Sequence, residues 1–370
     1  MSRIDDLIRD LCPDGVEHKL LKDLVHIKNG RDFKHLKKGD IPVYGSGGII
    51  SYVNESTSEG PSVLIPRKGS LNKLYFVEGP FWTVDTIFYT EISNQLEPKY
   101  FYYYLQTLHL EKMNQAGGVP SLTQRTLNEL HIPTPPILIQ QEIARVLDQF
   151  TELEAELEAE LDVRKQQYSH YLNHFFTTNT NTHMRTLRDV GPVRMCKRIM
   201  KNQTSRQGDV PFYKIRTFGG TADVYISRKL YNEYKKQYHF PQPGSILISA
   251  AGTIGRAVPY DGKDAYFQDS NIVWIENDET LVLNSYLFYF YKVANWKTDD
   301  GTIKRLYNDR LLNTAIPVPP LSEQHRIVDC LDKFDTLVND LSSGLPAEIE
   351  ARRKQYEYYR DRLLTFPEKK

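Results

Sequence analysis

A chain of 370 residues is long enough for two or three domains, each with its own core. Charged residues are 25% and apolar residues 40% of the composition, as in globular proteins, and no apolar run is long enough to cross a bilayer as a helix. The formal net charge is zero, and the three cysteines, Cys12, Cys196 and Cys330, are isolated, which excludes a disulfide framework and a zinc knuckle and fits reduced thiols in the cytoplasm.

In chain order, Met1-Ser-Arg-Ile-Asp-Asp6 lacks the basic-then-apolar pattern of a secretory signal. Pro13-Asp-Gly-Val-Glu-His-Lys19 places two carboxylates and a lysine together as a nuclease might. Such groups must converge on a metal from separate strands, and this spacing leaves no room for that. Gly45-Ser-Gly-Gly48 reads as a turn, because it lacks the Lys-Ser/Thr ending of a phosphate-binding loop. Strands are expected at Val63-Leu-Ile65, Leu74-Tyr-Phe-Val77 and Thr86-Ile-Phe-Tyr-Thr90. The aromatic run Tyr100-Phe-Tyr-Tyr-Tyr-Leu105 reads as a helix face packed on a sheet. Prolines 133, 135 and 136 then hold the chain extended, and a helical stripe follows. Ile143, Leu147, Phe150, Leu153, Leu157, Leu161, Arg164, Tyr168, Tyr171 and Phe175 are spaced by threes and fours, the stripe of a coiled-coil seam. Between Glu142 and Asp162 this stretch carries eight acids against one base. The acids alternate with the leucines, so they form a solvated helix face. Thr177-Thr-Asn-Thr-Asn-Thr-His183 is a polar linker.

The chain then repeats itself. Ile132-Pro-Thr-Pro-Pro136 returns as Ile316-Pro-Val-Pro-Pro320, 184 residues later, and the same offset pairs Gly117 with Gly301 and Leu122 with Leu306. The starts Leu21-Lys-Asp-Leu24 and Leu187-Arg-Asp-Val190 match at 166, so the second half carries extra residues near its beginning. Its strands are expected at Ser245–Ser249, Arg256-Ala-Val258 and Asn271–Ile275, and its aromatic helix at Tyr286–Tyr291. The second stripe, Ile327, Leu331, Phe334, Leu337, Leu341, Leu345, Ile349, Arg352, Tyr356, Tyr359 and Leu363, contains one extra step of four. Gly344-Leu-Pro346 sits there and should kink or break the helix. Neither stripe can bury itself, so the two helices are expected to pack antiparallel. Between Arg185 and Ala315 there are 20 Lys and Arg against 13 Asp and Glu, whereas Leu20 to Leu130 has 12 against 11. A basic face is therefore expected on the second half. No Rossmann fingerprint, nucleophile elbow, metal-spaced ligand set or adenine-methylation motif is present.

These features resemble the specificity subunits of type I restriction-modification systems. The resemblance rests on the repeated Ile-Pro-x-Pro-Pro with Gln140 and Gln324, the repeated Glu-Leu unit at Glu152, Glu156 and Glu160, and Arg164-Lys-Gln-Gln-Tyr168 with Arg353-Lys-Gln-Tyr356. Tyr44-Gly-Ser-Gly-Gly-Ile49 and Gly244–Gly255 resemble target-domain core patterns of the same family.

The resemblance implies an α+β chain: two target-recognition domains of mixed sheet and helix, separated by two long antiparallel coiled-coil helices in a pseudo-two-fold repeat. The expected boundaries are 1–136 and 184–320 for the reading domains, 137–176 and 321–370 for the spacer helices, and 177–183 for the linker. It implies a non-catalytic, DNA-binding subunit that reads a bipartite asymmetric site on double-stranded DNA. Partners would be two methyltransferase subunits bringing S-adenosylmethionine and two restriction subunits, translocase-nucleases using ATP and magnesium. This chain itself would hold no cofactor or metal. Candidate DNA contacts, chosen from charge in loops near repeat-matched glycines, are Arg67, Lys68, Asn72, Lys73 and Arg125, then Arg216, Thr217, Arg256, Lys304 and Arg305. The helix seam, also the candidate docking surface, is Leu147, Phe150, Leu153, Leu157, Leu161, Tyr168, Tyr171, Leu331, Phe334, Leu337, Leu341, Tyr356 and Tyr359. The alternatives are a two-domain scaffold that binds protein partners without DNA, and a single-chain modifying enzyme.

Overall fold

A computed structural model describes residues 3–113, 120–177, 183–299 and 304–369. Gly117, Gly301 and most of the 177–183 linker lie outside the described residues.

The first half runs α1 (Arg3–Leu11), β1 (His18–Leu20), α2 (Leu21–Leu24), β2 (Val25–Asn29), β3 (Ile41–Gly45), β4 (Gly48–Val53), β5 (Ser62–Pro66), β6 (Tyr75–Val77), β7 (Trp82–Thr83), β8 (Ile87–Ile92), α3 (Pro98–Thr107), α4 (Gln124–Asn128), β9 (His131–Pro133) and α5 (Ile137–Thr177). The second runs β10 (His183–Thr186), α6 (Leu187–Val190), β11 (Val193–Met195), β12 (Val210–Tyr213), β13 (Tyr225–Ile226), α7 (Arg228–Gln237), β14 (Ile246–Ser249), β15 (Ala257–Pro259), β16 (Tyr266–Phe267), β17 (Ile272–Ile275), α8 (Asn284–Val293), α9 (Asn308–Leu312), β18 (Ala315–Val318), α10 (Leu321–Asn339) and α11 (Leu345–Leu363).

The repeat is carried through to strand order. β2-β8-β5-β6 corresponds to β11-β17-β14-β15, β4-β3-β7 to β13-β12-β16, and β1-β9 to β10-β18. Even the exception to antiparallel pairing recurs, since β3 pairs β7 in parallel and β12 pairs β16 in parallel. The second half's extra residues include α7, which has no counterpart between β4 and β5. The expected strands are present as β5, β6, β8, β14, β15 and β17.

The chain forms two compact units, Met1–Glu158 with Glu348–Lys370, and Ala159–Ala347. In the first, the buried face of α3 (Tyr100, Phe101, Tyr103, Leu105) packs with Val63, Ile65 and Phe88 of the four-stranded sheet and with Ile139, Ile143 and Leu147 of α5. Glu97 opens α3, its carboxylate accepting the Tyr100 N–H at 2.5 Å, with Pro98 in the first turn. In the second unit α8 is placed alike, its Tyr286, Tyr289 and Phe290 packed with Ile246, Ile248 and Val273 and with Ile327 and Leu331 of α10.

The glutamine after each proline run fastens the following helix to its globular half. The fully buried Gln140 donates from Nε2 to the carbonyls of Pro135 (2.7 Å) and Gln95 (3.0 Å), and its Oε1 accepts the Glu97 N–H (2.8 Å). Gln324 makes the same set with Pro319 (2.9 Å), Leu281 (2.9 Å) and the Leu283 N–H (2.9 Å). Tyr100 donates to Pro133 O at 2.9 Å and Tyr286 to Pro317 O at 3.0 Å. One helical turn on, Tyr103 and Lys99 both bind the Asp148 carboxylate, at 2.7 and 2.8 Å, and Tyr289 donates to Asp332.

Helix pairing within each unit is antiparallel. In the first, Phe150 of α5 stacks on Tyr359 of α11 (5.6 Å, 25°), Tyr356 donates to Gln106 of α3 at 2.8 Å, and Arg353 reaches Glu154 and Glu158 at 2.7 and 3.2 Å. In the second, Tyr171 of α5 lies 5.4 Å from Phe334 of α10, Tyr168 donates to Asp335 at 3.0 Å, and Arg326 lies 6.0 Å from the Phe175 ring. Leu153, Leu157, Leu161 and Leu337 are half-buried along the same helices.

Two expectations about the seam change, and the expected break in the second helix is present. Leu147 and Leu331 are fully buried, but in the cores of their own globular halves, because the first turns of α5 and α10 lie on α3 and α8. Leu341 is 83% exposed and leaves the seam altogether. The second helix stops at Asn339, several residues before Pro346, and restarts at Leu345. Asp340 closes the break, accepting from the Ser342 N–H (2.7 Å) and hydroxyl (2.6 Å) and from the Ser343 hydroxyl (2.7 Å), which holds its carboxyl down to about 2. A Cβ on Gly344 would sit 2.4 Å from the Thr336 carbonyl oxygen, so this return of the chain admits only glycine.

Truncating Gln140 to Ala would strand the buried Pro135 carbonyl and remove the partner of the part-buried Gln95 carbonyl and Glu97 N–H. We expect it to lower stability by about 2–4 kcal/mol, whereas Arg353→Ala, which removes a solvent-screened pair, should cost under about 1 kcal/mol. Denaturant unfolding of the two variants side by side checks the order.

Candidate nucleic-acid interface

Basic residues can read or grip DNA only if separate loops bring them to one surface. In the first unit two loops meet beyond the end of β5. Lys68 and Ser121 form an isolated bridge, the Leu122 N–H donates to Arg67 O at 2.9 Å, and the Gly69 N–H to Pro120 O at 3.0 Å. In the second unit the equivalent loop beyond β14 meets its own partner. Ala251 bridges Arg305, the Leu306 N–H donates to Ala250 O at 2.9 Å, and the Gly252 N–H to Lys304 O at 3.3 Å. The repeat-matched glycines Gly69 and Gly252 have φ of +85° and +68°, which a side chain would strain. The same left-handed step thus aims both loops.

Beside each pair stands the hairpin turn of the three-stranded sheet. In the first unit the turn between β3 and β4 is held by Ser46, whose N–H donates to the Thr86 hydroxyl at 3.3 Å and whose carbonyl accepts from Tyr75 OH at 3.4 Å. A Cβ on Gly69 would lie 3.4 Å from the Ser46 hydroxyl, so turn and loop touch. In the second unit, Arg256 donates from Nη1 to Phe218 O at 2.7 Å and ties the turn after β12 to the strand-edge loop.

The candidate residues divide by what their side chains already do. Arg67 lies 5.8 Å from the Phe88 ring, and Lys68, beside it, is exposed. Asn72 and Lys73 stand in the turn before β6, on the rim of a cleft of about 500 Å³ that Tyr102 and Gln106 of α3 also line. Arg125 is held by Glu129 one turn along α4, at 3.3 Å. Arg216 pairs with Asp223. Thr217 folds its own turn, its hydroxyl accepting the Lys214 N–H at 3.2 Å and donating to Lys214 O at 3.3 Å. Lys304 and Arg305 are exposed, and among the described residues neither side chain has a carboxylate partner. The Arg305 backbone N–H donates to Asp299 at 2.8 Å, which fixes the chain and leaves the guanidinium free to reach outward. Three exposed apolar side chains on β4, Ile49 (48%), Ile50 (54%) and Tyr52 (52%), adjoin the first hairpin turn and were not among the candidates. Only knowing which way the hairpin faces distinguishes them from core residues.

Among the described residues no group of three or more His, Cys, Asp and Glu could hold a metal ion. No described helix is long and apolar enough to cross a membrane. Asp14 and Glu17, the nuclease-like pair, are both exposed in the segment before β1.

The profile of the type I restriction modification DNA specificity domain matches residues 13–163 and again 179–351. The chain belongs to this specificity-subunit family. A Haemophilus influenzae protein named as a type I restriction enzyme specificity subunit is 46% identical over 95% of this chain and 96% of its own. The specificity subunit of the Escherichia coli type I restriction enzyme EcoR124I/EcoR124II is 30% identical over 99% of this chain and 98% of its own. The crystal structure of the type I restriction-modification S subunit from M. genitalium shares the fold, with a TM-score of 0.58 at 15% identity over 94% of this chain and 96% of that one. For a specificity subunit, the twofold match and the twofold fold describe the same duplication.

If the loop beyond Gly252 meets phosphates, Lys304→Ala with Arg305→Ala should weaken duplex binding and reduce the slope of log affinity against log salt by about two. Backbone pairing to Ala251 survives the change. Equilibrium binding across a salt series is the measurement, and an unchanged slope removes both residues from the interface.

Proposed function

We propose that this chain is the sequence-reading subunit of a type I restriction-modification complex. Each half reads one part of a bipartite, asymmetric site on double-stranded DNA. The observation that carries this reading is the paired-loop constellation built twice, with Arg67 and Lys68 at one copy and Lys304 and Arg305 at the other. Base edges would be met by side chains on these loops and on the adjoining hairpin turns, with lysines and arginines on phosphates setting register.

The helices would serve two ends. α5 is a single helix of 41 residues, about 60 Å long at 1.5 Å per residue. Its residues up to Glu158 belong to the first unit and those from Ala159 to the second. Its length would therefore set the unread gap. The outward faces of α5, α10 and α11 would dock two methyltransferase subunits, and through them two restriction subunits. S-adenosylmethionine would belong to the methyltransferase subunits, and ATP and magnesium to the restriction subunits. On this reading the chain directs chemistry and performs none.

Deleting Glu154–Leu157 shortens α5 by about 6 Å, the length of one to two base pairs. The expected outcome is the same two half-sites separated by a shorter gap, read by sequencing methylated adenines in cells that carry the variant. Altered half-sites with an unchanged gap would overturn the ruler. Methylation independent of this chain would overturn the DNA-reading function and favour a protein scaffold.

A further inference from the structure

The stretch of the second half that contains its extra residues is basic. From Lys197 to Lys236 there are ten Lys and Arg against three Asp and Glu. Three of those cations are neutralised locally: Arg198 by Asp269 at 2.9 Å, Arg216 by Asp223, and Arg228 by Asp264. The rest are not spread evenly. Lys197 and Arg198 follow β11, Lys236 lies in the last turn of α7, and all three line one cleft of about 530 Å³ together with Tyr238 and His239. Its lining holds three permanent cations against one carboxylate, Asp269. Among the described residues neither Lys197 nor Lys236 has a carboxylate partner. The floor adds no negative charge, because burial pushes the Cys196 thiol up to about 12.

The cleft is built firmly. The buried Tyr266 donates to Lys197 O at 3.0 Å, and the Lys197 ammonium lies 4.9 Å from the Tyr238 ring, which in turn packs edge-on to Tyr234. It is also continuous with the candidate reading loops. Asp269, which pairs Arg198, belongs to the short loop Gln268–Asn271. That loop accepts the Ile215 N–H on the Gln268 side chain at 2.9 Å and the Ala250 N–H on Asn271 O at 2.7 Å. One loop thus joins the cleft to the turn carrying Arg216 and to the strand end paired with Arg305.

We infer that this cleft seats a backbone phosphate of the DNA flanking the second half-site, held by Lys197 and Lys236. The inference rests on the DNA-reading function proposed above. It gives the two halves unequal grips. At the offset of 166 residues Lys197 and Arg198 match Arg31 and Asp32, and the first half has no α7 to supply a counterpart of Lys236. The second half therefore holds the backbone through a contact the first does not have, one that adds affinity independent of base sequence.

The test uses the chain assembled with its methyltransferase subunits and compares the parent with Lys197→Gln/Lys236→Gln. Both side chains are exposed, so folding is unaffected and thermal melting verifies it. The variant should lose affinity by the same factor for a cognate duplex and an unrelated one, the salt slope should fall by about two, and the methylated sequence should not change. Backbone protection just beyond the second half-site should disappear while that beyond the first persists. An unchanged slope in a complex whose parent binds DNA overturns the cleft assignment alone, as does a loss confined to the cognate duplex. A parent complex with no affinity for DNA overturns the reading function and the cleft with it.

Discussion

Everything in this fold depends on how each long helix leaves its globular half, and that is decided by one buried glutamine. A helix emerging from a proline run has unsatisfied groups at its start, and the extended prolines expose carbonyls that no helix can use. Gln140 and Gln324 answer both needs. The amide donates to the proline carbonyl and to the loop before the aromatic helix, and its oxygen accepts an N–H from that same loop. The tyrosine–aspartate contact about two turns further on, Tyr103 with Asp148 and Tyr289 with Asp332, opposes rotation about that point. A directional polar contact inside an apolar core fixes an angle in a way that leucine packing does not. Any reading of spaced DNA by the chain would need that angle held.

The two helical segments solve the burial of one stripe differently. α5 runs unbroken, and the opposite strand of the pairing is made of two helices, α10 and α11. An inserted step of four keeps the stripe nominally in phase. Gly344 and the Asp340 turn nevertheless interrupt the hydrogen bonds, so Leu341 projects into solvent while Ile349 returns to cover. Phe334 meets Tyr171 on one side of the break, and Tyr359 meets Phe150 on the other.

Much of this was legible in the residues. The duplication, the long stripes, the six apolar strands and the burial of the aromatic helices follow from periodicity and from the offset near 184. The two-residue strands β7 and β16 were not, because each exists only by parallel pairing to a distant strand and has no pattern of its own. Nor was the end of α10, where an Asp340 side chain outcompetes the helix several residues ahead of the proline. At the candidate interface, charge alone could not separate Arg125, held by Glu129, from Arg305, which is unpaired by any described carboxylate. That i, i+4 pair was visible in principle. The meeting of Lys68 with Ser121, or of Ala251 with Arg305, was not, because it closes a loop of more than fifty residues and depends on the sheet beneath.

Duplication explains the symmetry of the scaffold, and the inserted residues of the second half explain its departure from symmetry. A backbone contact held by one half alone would add affinity equal in either direction along a duplex, so direction would be left to the bases each half meets. The insertion lies in the three-stranded sheet's connections, away from Gln324, Tyr286 and Asp332. A half could therefore acquire it without disturbing the latch that holds its helix.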